Sequence, residues 1–241
     1  MSASPAITMN PQYAGMPTRY HIPWRTPFDE RIERELRPGI RILDLGSGRT
    51  PAISRSRLPE GVVYAGLDLS ESELRKAPEG SYDEMHVADI NSRLPELEGQ
   101  FDLIVSWQVL EHVKSLDEAL DNVCAYLKPG GCLIAQFSGT FSVFGLINRV
   151  IPQRVGVGLM RVLLKRNPET VFPAYYHHCW YGAIDRAMKN WSQVDIVSRY
   201  EAARYFNFSP PLRSVYARVE DWMIKGNYRN LATHYLIDAR R

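Results

Sequence analysis

Residues 41–51 read RILDLGSGRTP. Ile42, Leu43 and Leu45 have the character of the end of a buried strand, and Asp44 interrupts that run just before a turn. Gly46, Ser47 and Gly48 then leave a backbone with almost no side chain. Such a turn can approach a ligand closely and take positive φ without penalty. Pro51 suits the first position of a helix, where its missing N–H costs nothing. A strand, a glycine turn and a helix start make a nucleotide cradle at the carboxyl edge of a parallel sheet.

Two nucleotide fingerprints fail here. A dinucleotide motif, G-x-G-x-x-G, needs a third glycine where Pro51 stands, and no Lys-Ser or Lys-Thr follows to make a P-loop. What remains is D-x-G-x-G after an apolar strand. An acidic residue about 20 positions further on is then expected to bond ribose hydroxyls. Asp68 meets it, with Leu69 beside it, in the run VVYAGLDLS over 62–70. FDLIVSWQVLEHV follows over 101–113 and LKPGGCLIAQF over 127–137. In this order and spacing, across 39–138, the four blocks resemble the class I S-adenosylmethionine-dependent methyltransferases. The likeness is to the small-molecule branch typified by ubiquinone and menaquinone methyltransferases.

The resemblance implies an α/β fold, Rossmann-like, with a seven-stranded, mostly parallel sheet, helices on both faces and an inserted helical lid after strand five. It implies S-adenosyl-L-methionine as methyl donor. Asp44 would support the methionine end, directly or through the turn, with the backbone of Gly46, Ser47 and Gly48 beneath it. Asp68, with Leu69, would take the ribose. Asp89 would accept from the adenine amine and Ile90 stack on the ring; the plain alternative is that Asp89 caps the turn ahead of Asn91. Trp107 and Gln108 would line the pocket near the sulfur.

Punctuation and periodicity give the elements. Strands are expected at Ile40–Leu45, Val62–Leu67, Met85–Ala88, Phe101–Trp107, Cys132–Phe137, Val194–Val197 and Asn230–Asp238, the last inserted antiparallel beside strand five as in the resembled fold. Helices are expected at Asp29–Leu36, Ala52–Leu58, Glu71–Ala77, Leu116–Leu127, Ala183–Lys189 and Ser214–Ile224. Ser70 and Glu73 have capping-box spacing. Lys128-Pro129-Gly130-Gly131 is read as a glycine helix stop and tight turn. Val215, Val219 and Trp222 share one face of their helix. One methyltransferase domain over 1–241 is expected, with an N-terminal arm and helix over 1–38 and an inserted lid over 140–182.

The acceptor side is less specific. Residues 140–166 are apolar with interspersed cations, among them Arg149, Arg154 and Arg161, and are broken by Pro152 and three glycines. They suit a helical lid, and secondarily a lid that touches an amphipathic acceptor or a membrane surface. PAYYHHCWY over 173–181 adds Tyr176 and Trp180 as candidate substrate contacts. An alcohol or phenol acceptor benefits from a base. His112 in VLEHV is one candidate, and His177 and His178 are the rivals. Each also has a plain packing or pocket-shaping reading. Adjacent histidines do not share a helix face, so no metal site is expected from them.

The chain has 241 residues, 29 Lys and Arg against 27 Asp and Glu, and formal charge +2. That near-neutrality speaks against a dedicated nucleic-acid binder. Three scattered cysteines without a CxxC suggest neither zinc nor a disulfide scaffold. No secretory signal and no spanning apolar run is read, so a cytoplasmic protein acting on a small or lipid-linked acceptor is expected. The competing classes are an N- or C-methyltransferase, a methyltransferase fold retained only for binding, and a nicotinamide dehydrogenase, which Pro51 disfavours.

Overall fold

The computed structural model describes residues 9–142 and 175–241. The strands are β1 Arg41–Leu45, β2 Val63–Asp68, β3 Glu84–Val87, β4 Phe101–Trp107, β5 Leu127–Ser138, β6 Gln193–Arg199 and β7 His234–Arg240. The helices are α1 Thr26–Glu35, α2 Glu71–Leu74, α3 Leu116–Tyr126, α4 Tyr181–Ala187 and α5 Pro210–Lys225. They build one seven-stranded sheet in the order β3-β2-β1-β4-β5-β7-β6. Strands β1 to β5 are parallel, and β7 runs antiparallel to both β5 and β6. The order reverses between β1 and β4, which opens a crevice at their carboxyl ends.

Alternation along the central strands divides the core between the two sheet faces. Leu43, Leu45, Ala65, Leu67, Ile104 and Leu133 pack with Leu116, Leu120 and Val123 of α3 and Ile184 of α4. Ile42, Tyr64, Leu103, Val105 and Ile134 point the other way and pack with Phe28 and Ile32 of α1 and Leu74 of α2. A satellite cluster joins Tyr13, Met16 and Tyr20 of the arm to Ala203 and to Ala217 of α5.

Three expectations are corrected. The helix over 52–58 does not form; a short 3-10 turn, Arg55–Arg57, stands there. Seven residues between two prolines are too few to propagate a helix alone; Ala52 N–H donates to Asp44 and Ile53 N–H to the Tyr64 hydroxyl. The capping box is only half made. Ser70 Oγ accepts from Glu73 N–H, but Ser70 N–H donates to Asp68, and the Glu73 carboxylate serves Arg49 and Lys76. Residues 128–131 are not a helix stop: α3 ends at Tyr126, and the glycines lie within β5, where the register against β4 shifts between Phe101 and Leu103. A Cβ on Gly131 would come within 3.0 Å of the Lys128 and Phe101 carbonyl oxygens, so this irregularity needs a residue without a side chain. Val215, Val219 and Trp222 share a face of α5 as expected, and that face is exposed to solvent. The expected lid falls mostly on 143–174, outside the described residues.

Candidate active site

The turn after β1 is held from two sides. Gly46 (φ +65°) donates its N–H to the Leu67 carbonyl at 2.7 Å, and a Cβ there would lie 2.3 Å from Val109 Cγ1. The β1 and β4 loops thus touch at the switch point, and only glycine fits. Gly48 (φ +46°) faces Asp68, whose carboxylate oxygen would be 3.4 Å from a Cβ at this position. Ser47 between them is buried. Asp44 is buried beneath the turn and accepts from the Tyr64 hydroxyl at 2.5 Å and from Ala52 N–H at 2.6 Å. Burial lifts its pKa to about 7 against the pull of Tyr64, Ala52 and Arg25. Asp44 therefore ties the exit of the glycine turn to β2.

Asp68 is half-buried at the end of β2 and accepts from Ser70 N–H at 2.8 Å. Burial raises its pKa, against hydrogen bonds from the Ser70 and Gly48 backbone. Leu69 next to it is exposed. Asp89, past β3, accepts from Asn91 N–H at 3.0 Å and from Lys114 Nζ at 3.1 Å, and the turn contact is the main cause of its lowered pKa. Ile90 is buried in the core.

At the end of β4, Trp107 packs edge-on to Trp24 at 5.0 Å and against Phe28 at 4.8 Å, with the Arg25 guanidinium 4.6 Å over its ring. Gln108 takes φ +58°, a left-handed conformation costly for a residue with a side chain. Its N–H donates to the Gln136 carbonyl at 2.7 Å, and its side-chain oxygen accepts from the Ser138 hydroxyl at 3.1 Å. Glu111 is buried, accepts from Ser138 N–H at 3.3 Å, and has its pKa raised by burial against the opposing charge of His112. His112 is half-buried in the turn Leu110–His112.

The two rival histidines sit on the surface. His177 Nδ1 is 3.2 Å from the Lys114 carbonyl, and His178 Nδ1 is 3.3 Å from Asp117. Tyr176 is buried with φ +51°; its backbone N–H donates to the Glu111 carbonyl at 3.0 Å and its carbonyl accepts from Thr140 at 2.8 Å. Trp180 is half-buried against Phe141 at 6.1 Å. Thus Asp44, Gly46, Ser47, Gly48 and Asp68 meet around one turn, and Trp107, Gln108 and Glu111 line the next segment of the same edge. His177 and His178 stand off toward α3.

The fold adds a buried polar group that sequence inspection passed over. Arg199, at the end of β6, donates to the Trp24 carbonyl at 2.8 Å, to Glu201 at 3.0 Å and to Gln136 Oε1. The Gln136 amide N–H group is buried with no hydrogen-bond partner among the described residues, and so is His234 Nδ1. His234 Nε2 lies 3.3 Å from the Tyr205 hydroxyl, and its ring is edge-on to Trp24 at 5.1 Å. Burial and the charge of Arg199 push its pKa down to about 3, so it is neutral. Ser138, His234 and Arg199 are register partners across β5, β7 and β6, which brings the group to the carboxyl edge beside Trp107. A polar Gln136 inside the apolar run CLIAQF was the one available signal. Among the described residues no group of His, Cys, Asp and Glu side chains is arranged to hold a metal ion.

A family model described as a methyltransferase domain matches residues 23–192. The chain is 30% identical over 112 residues to a ubiquinone biosynthesis O-methyltransferase of Brucella melitensis, an alignment covering 45% of each chain. It therefore spans under half the length of that curated relative. Among solved structures it is similar to Haemonchus contortus phosphoethanolamine N-methyltransferase 2 in complex with S-adenosyl-L-methionine (TM-score 0.55, 15% identity, covering 90% of this chain and 52% of that one). A SAM-dependent methyltransferase from Archaeoglobus fulgidus matches with TM-score 0.52 at 15% identity, over 92% of this chain and 96% of that one. At such identities the structural likeness speaks for the fold alone. With its family model matched over most of its length and its sheet in the same architecture, the chain belongs to the methyltransferase-domain family, of the class I S-adenosylmethionine-dependent type.

Proposed function

We propose that this protein transfers a methyl group from S-adenosyl-L-methionine to an oxygen of a small or lipid-linked acceptor, such as a phenol, sugar or glycolipid hydroxyl. The observation that carries it is the meeting of the glycine turn and Asp68 at the switch point, where the Asp68 carboxylate comes within 3.4 Å of a Cβ built on Gly48. That cradle fits an adenosyl donor, with Asp68 and Leu69 on the ribose and Asp89 and Ile90 on the adenine. Asp44 and the backbone of Gly46, Ser47 and Gly48 would lie under the methionine end, and Trp107 and Gln108 near the sulfur. Arg25, above Trp107, adds a cation for the donor's carboxylate end.

The bound donor supplies a methyl group on a sulfonium, already activated for direct displacement. The chain's own work is to bind, orient the acceptor behind the methyl and exclude water, and such positioning supplies a large part of a rate enhancement. An oxygen acceptor must also lose a proton. His112, beside the buried Glu111, is the proposed base, with His178 and His177 as rivals and Tyr176 and Trp180 as acceptor contacts. The oxygen acceptor is supported by the name of the ubiquinone relatives. If His112 is the base, His112→Ala slows turnover on the order of 100-fold or more and leaves donor affinity unchanged.

The test is calorimetric titration of the purified protein with S-adenosylmethionine, its demethylated product, and NAD. Binding of the first two and not of NAD is expected, followed by label transfer to hydroxylated aromatic or glycolipid acceptors. Failure of both adenosyl ligands to bind overturns the proposal.

A further inference from the structure

Helix α5 is amphipathic in the reverse sense to a core helix. Its inner side, Ala217 and Glu220, is buried against the arm. Its outer side carries Leu212, Val215, Val219 and Trp222, exposed by 42%, 54%, 38% and 57%. At 3.6 residues per turn these four fall in a sector about 80° wide, opposite the buried side. Phe208, just before the helix, is 75% exposed, and Tyr228, just after it, packs on Trp222 at 4.7 Å. Along one flank of the stripe stand Arg218 and Lys225, both exposed, with no ion-pair partner among the described residues. The nearby acid Asp221 is already engaged by Arg19 at 2.6 Å. Aligned on one face and ended by Phe208 and Tyr228, these side chains form a contiguous apolar patch rather than singly scattered exposed residues.

We infer that this face of α5 seats the protein on an anionic lipid surface. The pattern fits that occupant: aromatic and aliphatic side chains enter the headgroup boundary while flanking cations meet negative headgroups. It does not fit a second copy of the chain. The helix is about 24 Å long and about 10 Å wide, so its face offers on the order of 250 Å², well below the roughly 800 Å² per partner of a stable interface. An antiparallel copy would also lay the Arg218 and Lys225 flank against itself. The inner side of α5 backs the arm, which runs on to Trp24 and Arg25 beside Trp107. The surface is distinct from residues 140–166, and the inference stands independently of the proposed chemistry.

The experiment is co-sedimentation of the full chain, without donor or acceptor, with vesicles of phosphatidylcholine alone and of phosphatidylcholine mixed with phosphatidylserine. Binding to the mixed vesicles is expected, weaker by about tenfold or more on phosphatidylcholine alone and weakened by salt. Arg218→Glu with Lys225→Glu should reduce binding by at least about tenfold, two surface cations being worth roughly that much before reversal. Val219→Ser with Trp222→Ser should abolish it, and both pairs lie on the solvent side, so the thermal transition should be retained. No binding of the unmodified chain overturns the inference. So does binding unchanged in both variants, which would locate the contact elsewhere, and so does a concentration-dependent dimer that Val219→Ser with Trp222→Ser dissociates.

Discussion

Asp44 is a carboxyl group kept dry so that a turn can be held in shape. Its folded pKa of about 7 lies above the value of about 3.9 expected in the unfolded chain. Between those pH values the folded protein holds a proton that the unfolded chain has released. Stability from this group is therefore fully present below about pH 4 and lost as pH rises through about 7. Asp44→Asn removes the titration and keeps a hydrogen-bond acceptor. Measured by urea unfolding across this range, the stability of the unmodified protein should fall with rising pH relative to the variant; parallel curves would count against a buried, protonated Asp44. His234 acts in the opposite sense. Its pKa falls to about 3 when folded, against about 6.5 unfolded, so its contribution is present above about pH 6.5 and lost as pH drops toward 3. Asp68, by contrast, is half-buried at the edge and is available to a ligand. Asp68→Ala should weaken S-adenosylmethionine binding on the order of tenfold to a hundredfold, the worth of one hydrogen bond to a charged group. Unchanged affinity by calorimetry would remove Asp68 from the ribose site.

Helix α3 shows how far local rules reach. Ser115 caps it by accepting from Glu118 N–H at 3.3 Å, acids Asp117 and Glu118 occupy its first turn, and Leu116, Leu120 and Val123 are wholly buried. Ser115→Ala should cost about 1 kcal/mol in a denaturant titration without changing the slope. The same rules mark 52–58 as helical and fail there, because seven residues between Pro51 and Pro59 are too few to carry a helix alone. They place Val215, Val219 and Trp222 correctly on one face of α5 and say nothing about which way that face points. Periodicity reports that a helix has two unlike sides; the neighbours decide which side is covered.

Across the whole molecule, the arm is bolted to α5 through charge. Glu220 is buried and accepts from the Tyr20 hydroxyl and from Ala202 N–H, while Arg19 reaches Glu220 at 3.5 Å and Asp221 at 2.6 Å. Burial raises the Glu220 pKa, against these donors. Glu220→Ala leaves the Tyr20 hydroxyl and Ala202 N–H without their acceptor and should cost about 1–3 kcal/mol for each. Limited proteolysis should then cut the arm before the sheet core, and an arm as resistant as in the unmodified protein would show that the ring packing of Tyr13 and Tyr20 suffices. Because the arm carries Trp24 and Arg25 over Trp107, its release should also loosen the candidate site.

The sequence by itself determined where the strands of the parallel half lie and the turn at the switch point. Strand runs, glycine spacing and the distance from Asp44 to Asp68 are local quantities, carried by neighbours along the chain. Only the tertiary structure decided which polar residues are brought together at the carboxyl edge beside Trp107. Arg199 meets the Trp24 carbonyl across 175 positions of sequence, and it meets Gln136 through the register of β5, β7 and β6. A register is set by how a whole sheet closes, and no short window of sequence contains it. For the same reason the outward turn of the apolar face of α5 was unreadable until the arm was seen to occupy its other side.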